Sequence, residues 1–220
     1  MGASIRVGVI GVGQIALRGH LPGYQRADAD IVALCDNKNP NLDEIAEKYG
    51  AAQTYLDWRE MLEDAELDAV SICTPPSLHA EMAVEAARRG CHVLVEKPMA
   101  LTVSQCDSMI HAASEADVTL MVSHNQRFMA HHRVAKEILE TGRLGTPYLA
   151  HTVFGHQGPE FWSPEQEWYF QPAAAGMGVF GDLGYHKIDL LRWLLNQEVS
   201  NVQAMTQTFE KETSLEDTVT

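Results

Sequence analysis

Cysteine, basic residues and long apolar runs are all scarce in this 220-residue chain. Its four cysteines, Cys35, Cys73, Cys91 and Cys106, contain no Cys-x-x-Cys pair. A disulfide framework is not expected in a chain long enough to bury an apolar core. We predict that the cysteines in apolar runs act as small buried hydrophobes.

Acidic residues outnumber basic ones, with 30 Asp and Glu against 16 Lys and Arg, which gives a formal charge of −14. Such a chain has little long-range attraction for nucleic acid or anionic lipid. No apolar run approaches the roughly 20 residues that cross a bilayer, and Met1–Arg6 leads into a strand without a secretory leader pattern. The sequence therefore predicts a cytoplasmic protein that has neither nucleic acid nor a membrane as a partner.

The first half of the chain alternates strand and helix patterns. Apolar runs at 5–10, 31–35, 67–73, 92–95 and 119–123 are separated by helix-compatible stretches. Continuous apolar strands between helices indicate a parallel sheet that is covered on both faces. The predicted fold class is α/β, with a doubly wound Rossmann domain over residues 1–123.

The pattern changes near His124. A Gly/Pro/aromatic-rich loop at 155–181 precedes a helix at 183–195, and strands are predicted at 199–209 and 216–220. Residues 124–220 are therefore predicted to form a second domain of α+β character. Because the chain stops as a strand begins, we expect this domain to be incomplete.

A glycine loop, Gly11-Val12-Gly13-Gln14-Ile15-Ala16, follows the first strand and opens a helix. Gly11 permits a tight turn, Gly13 lets the backbone approach a pyrophosphate, and Ala16 allows close packing of helix on strand. The amides of the first helical turn, at Gln14 and Ile15, then face the phosphate charge. This context predicts a dinucleotide-binding loop.

Asp36 ends the second apolar run, where a carboxylate can accept hydrogen bonds from the adenine-ribose hydroxyls. It would also repel a 2′-phosphate, so NAD is the predicted cofactor. NADP stays open as the alternative, because Lys38 could reach a phosphate, although a solvated loop lysine is preferred.

Further polar residues fall where predicted strands end, at the edge where ligands of doubly wound sheets bind. The predicted cofactor contacts there are Thr74, Pro75, His79, Glu96, Lys97 and Asn125. For His79, a position on the helix surface is an equally good interpretation.

Lys97, Asp182 and His186 each have an ordinary structural interpretation. The lysine before Pro98 could be a strand-end turn, and Asp182 could be a helix cap or dipole partner. Asp182 and His186 are four residues apart at the start of a predicted helix, so both are expected on one face. No metal site is predicted, because further ligands at informative spacing are missing.

Five motifs in this order resemble the Gfo/Idh/MocA oxidoreductases, the glucose-fructose oxidoreductase and inositol dehydrogenase group. They are the glycine loop, Thr74-Pro75-Pro76-Ser77-Leu78-His79, Glu96-Lys97-Pro98, Asn125-Gln126-Arg127-Phe128 and Gly181-Asp182-Leu183-Gly184-Tyr185-His186-Lys187-Ile188-Asp189. The resemblance implies a Rossmann domain followed by an α+β domain with a large open, mainly antiparallel sheet. It also implies a homo-oligomer, a dimer or tetramer, formed through that sheet.

The activity implied by the resemblance is oxidation or reduction of a hydroxyl or carbonyl on a sugar or polyol, with NAD(H) or NADP(H). Lys97, Asp182 and His186 match the family's catalytic positions. His186 then suits the general base or acid, since imidazole titrates near neutral pH. Lys97 would stabilise the developing alkoxide, and Asp182 would orient substrate hydroxyls or hold Lys97.

Weaker predictions concern substrate contacts. Arg127 is expected near the crevice floor, and the rings of Trp162, Trp168 and Tyr169 are expected either to stack on a sugar face or to pack in a core. Two other functions stay open. One is a non-catalytic dinucleotide sensor, against which the retained catalytic residues argue. The other is a sugar–sugar oxidoreductase that holds its cofactor tightly.

Overall fold

The structure is a computed structural model that describes residues 4–165 and 167–220. The chain divides into two compact units, Met1–Ser123 and His124–Thr220. Each unit has its own helices and strands.

The first unit is built on one six-stranded parallel sheet. Its strands are β1 (Arg6–Ile10), β2 (Asp30–Cys35), β3 (Gln53–Tyr55), β4 (Ala69–Ile72), β5 (His92–Val95) and β6 (Leu120–Val122). They lie in the order β3-β2-β1-β4-β5-β6, which is a doubly wound Rossmann order with its switch point between β1 and β4. The predicted α/β Rossmann fold is confirmed.

Helices connect these strands and cover the sheet. They are α1 (Leu21–Arg26), α2 (Leu42–Tyr49), α3 (Trp58–Asp64), α4 (Pro76–Arg88) and α5 (Val103–Glu115). The helical run that ends in α1 starts at Gln14 and contains a π-helical turn, Ala16–His20. Two separate clusters of buried apolar side chains pack around the sheet. Burial of this kind explains why the strands are apolar at consecutive positions rather than alternating.

Two elements of the first unit were not foreseen in the sequence, β3 and α3. The residues of β3 read Gln-Thr-Tyr, are not buried, and pair only with β2 at the sheet edge. An exposed edge strand does not need the apolar residues that mark a central one. The sequence signal for α3 was its N-cap, Asp57, whose side chain accepts the Arg59 N–H.

The second unit contains three α-helices, α6 (Ala130–Glu140), α7 (Pro172–Ala175) and α8 (Tyr185–Leu195), among its described residues. Shorter 3₁₀ and π-helical turns lie before and between these helices, at Asn125–Phe128, Pro159–Phe161, Glu167–Phe170 and Phe180–Gly184. Two short antiparallel strands, β7 (Thr206–Gln207) and β8 (Thr218–Val219), pair with each other.

The strand predicted at 199–209 was wrong for most of its length. Only Thr206–Gln207 forms a ladder, and Thr218–Val219 is the segment that pairs with it in the described part of the chain. A β-rich sequence becomes a strand only where a neighbour supplies backbone N–H and C=O groups. Among the described residues, none of the helices combines the length and the apolar character that crossing a membrane requires.

Candidate active site

Gly11 forms the narrowest point of the turn after β1. Its φ is +86°, and a Cβ there would lie 2.8 Å from the Cys73 carbonyl atoms and 2.9 Å from the Thr74 nitrogen. Both the left-handed backbone and the close approach require glycine. The turn after β1 therefore touches the backbone that follows β4, at the switch point where doubly wound folds hold dinucleotides.

Asp36 braces the glycine loop from the end of β2. Its carboxylate accepts the backbone N–H groups of Val12 (2.8 Å), Lys38 (2.8 Å) and Asn39 (2.9 Å). The Asn39 side chain donates to the Val12 carbonyl at 2.8 Å. Because each carboxylate oxygen can accept more than one hydrogen bond, Asp36 can accept a ribose hydroxyl while it holds the loop. Asn39 was missed in the sequence, although an Asx turn after Asp36 was its available signal.

His79 ties together the loops that follow β4 and β5. Its side chain is fully buried, with one ring nitrogen 2.9 Å from the Pro98 carbonyl oxygen and the other 2.8 Å from that of Thr74. Burial lowers the pKa of His79, and the opposing hydrogen bonds to Thr74 and Pro98 do not restore it. The helix-surface interpretation of His79 was therefore wrong. The Lys97–Pro98 peptide bond that it holds is cis.

Glu96 and Lys97 follow β5 at the same edge of the sheet. Glu96 is buried, at 7% exposure, and its Oε1 lies 2.9 Å from His20 Nε2. Burial raises the pKa of Glu96, but contacts with His20, Ser123 and Lys97 outweigh it and hold the pKa below its usual range. The carboxylate is therefore ionised at neutral pH. His20 was not singled out in the sequence, where it is only a histidine near the end of the predicted glycine-loop helix.

In the second unit, Asp182 is paired with a histidine that the sequence did not single out. Asp182 lies in the π-helical turn Phe180–Gly184, and its Oδ2 is 3.2 Å from His156 Nε2. His156 Nδ1 accepts the Gly158 N–H at 2.9 Å. The proton of a neutral imidazole must then lie on Nε2, from which it is donated to Asp182. No ligand or motif spacing marks His156 in the sequence.

His186 lies in the first turn of α8, four residues after Asp182. Its ring meets the Phe154 ring edge-on, at 6.2 Å between centroids. Lys187, the next residue, lies over the same Phe154 ring and donates to the Gln126 side chain at 3.0 Å. Phe154 therefore forms one wall beside His186.

The predicted aromatic contacts with substrate form a stack of their own. Trp168 and Tyr169 are stacked at 3.8 Å, and Trp162 meets Tyr169 edge-on at 5.3 Å. All three rings are partly exposed. Asn125 lies exposed in the 3₁₀ turn Asn125–Phe128.

Arg127 forms an ion pair with a carboxylate of its own unit. Its Nε donates to Asp189 Oδ2 at 2.8 Å, and a second, shorter bond joins Nη2 to Oδ1. Asp189 is buried, at 6% exposure, and His124 Nδ1 is 3.6 Å from its Oδ2. A two-pronged contact with a buried carboxylate favours a structural role for Arg127.

Replacing Arg127 with alanine should destabilise the second unit, because Asp189 would lose its main partner while staying buried. We expect a loss of about 1–3 kcal/mol in the free energy of unfolding, measured in urea. Arg133→Ala, an exposed arginine on α6, is the matched control and should change it by less than about 0.5 kcal/mol. Equal effects of the two substitutions would contradict the structural role.

The site residues named from the sequence thus fall in two groups. Gly11, Asp36, Thr74, His79, Glu96 and Lys97 lie at the carboxyl edge of the first unit's sheet, whereas Asn125, Arg127, Asp182 and His186 belong to the second unit. The described residues contain no group of three or more His, Cys, Asp or Glu side chains placed to hold a metal ion.

Comparison with protein families gives one match in each unit. Residues 5–124 match the oxidoreductase family with an NAD-binding Rossmann fold, and residues 132–220 match the GFO/IDH/MocA C-terminal domain. The chain is 32% identical over 201 residues to myo-inositol 2-dehydrogenase of Thermotoga maritima, covering 91% of this chain and 58% of that protein. It is 32% identical over 193 residues to D-glucoside 3-dehydrogenase of Escherichia coli, covering 87% and 54%. The chain therefore spans little more than half the length of these relatives.

Solved structures show the same likeness. The WlbA dehydrogenase of Bordetella pertussis, in complex with NADH and UDP-GlcNAcA, superposes with a TM-score of 0.84 at 29% identity. That match covers 99% of this chain and 67% of the WlbA chain.

Proposed function

The chain belongs to the Gfo/Idh/MocA oxidoreductase family, and from that premise we propose that it transfers a hydride between NAD and a carbon of a sugar or polyol. The observation that carries the proposal lies in the first unit. Lys97 follows β5 at the same sheet edge as the Gly11 turn, so a cation stands at the edge that would hold the dinucleotide. Relatives named as inositol and glucoside dehydrogenases support a polyhydroxy substrate.

The residues of the first unit fit a dinucleotide. Gly11 lets the turn after β1 pack against the Cys73–Thr74 backbone at the switch point, and the Asp36 carboxylate lies beside that turn. Gly13, Gln14, Ile15 and Ala16 would receive the pyrophosphate, and Thr74 and Pro75 would line the opposite side. Bound NAD supplies a hydride acceptor at nicotinamide C4.

Lys97 and His186 divide the acid–base work in this proposal. When a secondary alcohol is oxidised, a proton leaves its hydroxyl oxygen and a hydride leaves the carbon that bears this oxygen. His186 takes that proton, since imidazole accepts protons near neutral pH. The Lys97 ammonium donates to the substrate oxygen and stabilises the negative charge that develops on it.

Asp182 orients the substrate in this proposal by accepting hydrogen bonds from its hydroxyl groups. The His156 contact holds Oδ2 of Asp182, and each carboxylate oxygen can accept more than one hydrogen bond, so the carboxylate can also accept from substrate hydroxyl groups. Trp162, Trp168 and Tyr169 offer partly exposed ring faces for the apolar side of a sugar, and Asn125 offers an amide for the cofactor. Arg127 contributes indirectly, by holding Asp189.

NAD should bind more tightly than NADP, by at least about tenfold, because the Asp36 carboxylate would repel a 2′-phosphate. Asp36→Asn removes the charge and also one of the two oxygens that accept backbone N–H groups of the loop, so both cofactors should bind more weakly while the ratio of the NADP to the NAD dissociation constant falls. Lys38 lies two residues away and its side chain is exposed. Lys38→Ser should leave the ratio of the two dissociation constants within about twofold of that of the unaltered protein. Fluorescence titration with NADH and NADPH measures it. Tighter binding of NADPH by the unaltered chain would contradict the assignment of Asp36.

The proposal includes a homo-oligomer and a cytoplasmic location. Val202, Met205 and Phe209 are exposed by 77%, 76% and 72%, and they surround the short β7–β8 ladder. These apolar side chains support a larger, mainly antiparallel sheet that mediates a homo-oligomer. All four cysteines are free thiols, which supports a reducing compartment such as the cytoplasm.

The function is tested by incubating the protein with NAD⁺ and a panel of cyclitols, linear polyols, aldoses and glycosides. NADH absorbance at about 340 nm should rise with at least one of these classes. NADH binding without turnover on any of them would favour a dinucleotide sensor. NAD that stays on the protein through gel filtration, with turnover only when two sugars are supplied, would favour a sugar–sugar oxidoreductase.

A further inference from the structure

Four polar side chains form a continuous hydrogen-bonded line inside the first unit. Tyr24 Oη lies 2.6 Å from Ser71 Oγ, Ser71 Oγ lies 3.0 Å from His20 Nδ1, and His20 Nε2 lies 2.9 Å from Glu96 Oε1. His20, Ser71 and Glu96 are at most 9% exposed. Buried polar groups persist only when they are hydrogen-bonded, so the line is held as a unit.

The line joins three elements of the cofactor edge. His20 ends the π-helical turn of the glycine-loop helix, Ser71 lies in β4, and Glu96 follows β5. The two residues of the His20–Glu96 contact are 76 positions apart in sequence. The helix that starts at the predicted phosphate-binding turn is therefore fastened to the loop that carries Lys97.

The direction of the bond at Glu96 is fixed by its ionised state. A carboxylate only accepts hydrogen bonds, so the His20 Nε2–H donates to it whether or not the imidazole is charged. Ser71 completes the line in either state, because its hydroxyl can donate to one neighbour and accept from the other. Tyr24 keeps its proton for this role, since burial raises its pKa.

The other oxygen of Glu96 is used at the next residue. Oε2 accepts the backbone N–H of Lys97 at 3.2 Å. One carboxylate thus connects His20 on one side with the Lys97 backbone on the other. Losing the His20 bond would leave Glu96 held by fewer contacts, and a carboxylate that rotates away no longer presents Oε2 to the Lys97 N–H.

We infer that His20 is a positioning residue for Lys97, acting through the Glu96 carboxylate and braced by Ser71 and Tyr24. The inference rests on the proposed role of Lys97 in hydride transfer. His20 does not touch the substrate in this account. It sets the backbone from which the Lys97 side chain extends.

The pKa of Glu96 should depend on its hydrogen bond with His20. Among the described residues, the titratable groups that act on Glu96 besides His20 are Cys73, which follows β4, His79 of α4 and Lys97 of its own loop. When the His20 hydrogen bond is removed, burial is opposed by fewer contacts, and the pKa of Glu96 rises. The Glu96 carboxyl carbon, followed by NMR, should therefore titrate at a higher pH in a His20→Leu variant than in the unaltered protein.

The test compares His20→Leu with His20→Gln, whose amide can still donate to Glu96. Amide hydrogen exchange at Lys97, measured by NMR, should become at least about tenfold faster in the leucine variant and stay near the original rate in the glutamine variant. The Val93 N–H, bonded to the Thr119 carbonyl at 2.8 Å, reports global opening and should be unchanged. Exchange needs no substrate, so a failure of the proposed function leaves this result readable.

Turnover completes the test. His20→Leu should lower kcat by at least about tenfold with NADH affinity within about threefold, and His20→Gln should restore most of kcat. His111→Leu on α5, an exposed histidine, is the control for the substitution itself. If His20→Leu does not fold, Ser71→Ala serves instead, and it should speed exchange at Lys97. Unchanged Lys97 exchange in a folded variant, or equal losses with leucine and glutamine, would overturn the inference.

Discussion

Replacing Lys97 with methionine should lower turnover by at least about 100-fold while NADH binds almost as before. Methionine keeps an apolar side chain of similar length but has no ammonium group to donate to the substrate oxygen. The alkoxide charge that develops during oxidation would then lack its nearest cation. An interaction made mainly in the transition state lowers kcat rather than cofactor affinity when it is lost.

Lys38→Met is the matched control, because Lys38 follows β2 and its side chain is exposed. It should leave kcat within about twofold. Steady-state rates and NADH fluorescence titrations on the same preparations give both quantities. A Lys97→Met protein with undiminished kcat, or one that loses NADH affinity and kcat in equal proportion, would be incompatible with the proposed role of Lys97.

Gly11→Ala should abolish detectable NADH binding. The substitution places a Cβ 2.8 Å from the Cys73 carbonyl atoms, in a turn whose φ is +86°. Neither Cys73 nor Thr74 can yield easily at that point, since the contacts are with backbone. The turn must open or shift, and the predicted pyrophosphate position moves with it.

Gly50→Ala separates the two effects of the added methyl group. Gly50 has a φ of +77°, but nothing lies within 4 Å of a Cβ built there. It should cost about 1 kcal/mol of stability through the left-handed backbone alone and leave NADH binding intact. Fluorescence titration and thermal melting of both variants measure the difference. Normal NADH affinity in Gly11→Ala would rule out the Gly11 turn as the cofactor cradle.

Local patterns in the sequence were sufficient to predict the fold class of the first unit and five of its six strands. The runs that became β1, β2, β4 and β5 are apolar because the sheet is covered on both faces there. The tight turn at Gly11 could be predicted because the glycine that such a turn requires is visible in the sequence. The edge strand β3 could not be recognised in this way, because it has only three residues, Gln-Thr-Tyr, and none of them is buried.

Contacts between distant residues could not be predicted in the same way. His20 and Glu96 look like an ordinary helix histidine and a strand-end glutamate until the fold brings them to 2.9 Å. The same holds in the second unit, where the contacts of His156 with Asp182 and of Arg127 with Asp189 could not be predicted from the sequence. Side-chain pairing depends on tertiary packing, whereas periodicity reports only which face of an element is buried.

The proposed function depends on direct transfer of a hydride between a sugar or polyol carbon and nicotinamide. It is tested by supplying NAD⁺ and a reactive polyol deuterated at the oxidised carbon, then measuring the mass of the NADH formed. The NADH formed should be heavier by about one mass unit, because the deuterium passes from the substrate carbon to C4 of nicotinamide without exchanging with water. Unlabelled NADH from a fully deuterated carbon, or no NADH from any polyol or sugar, would contradict it.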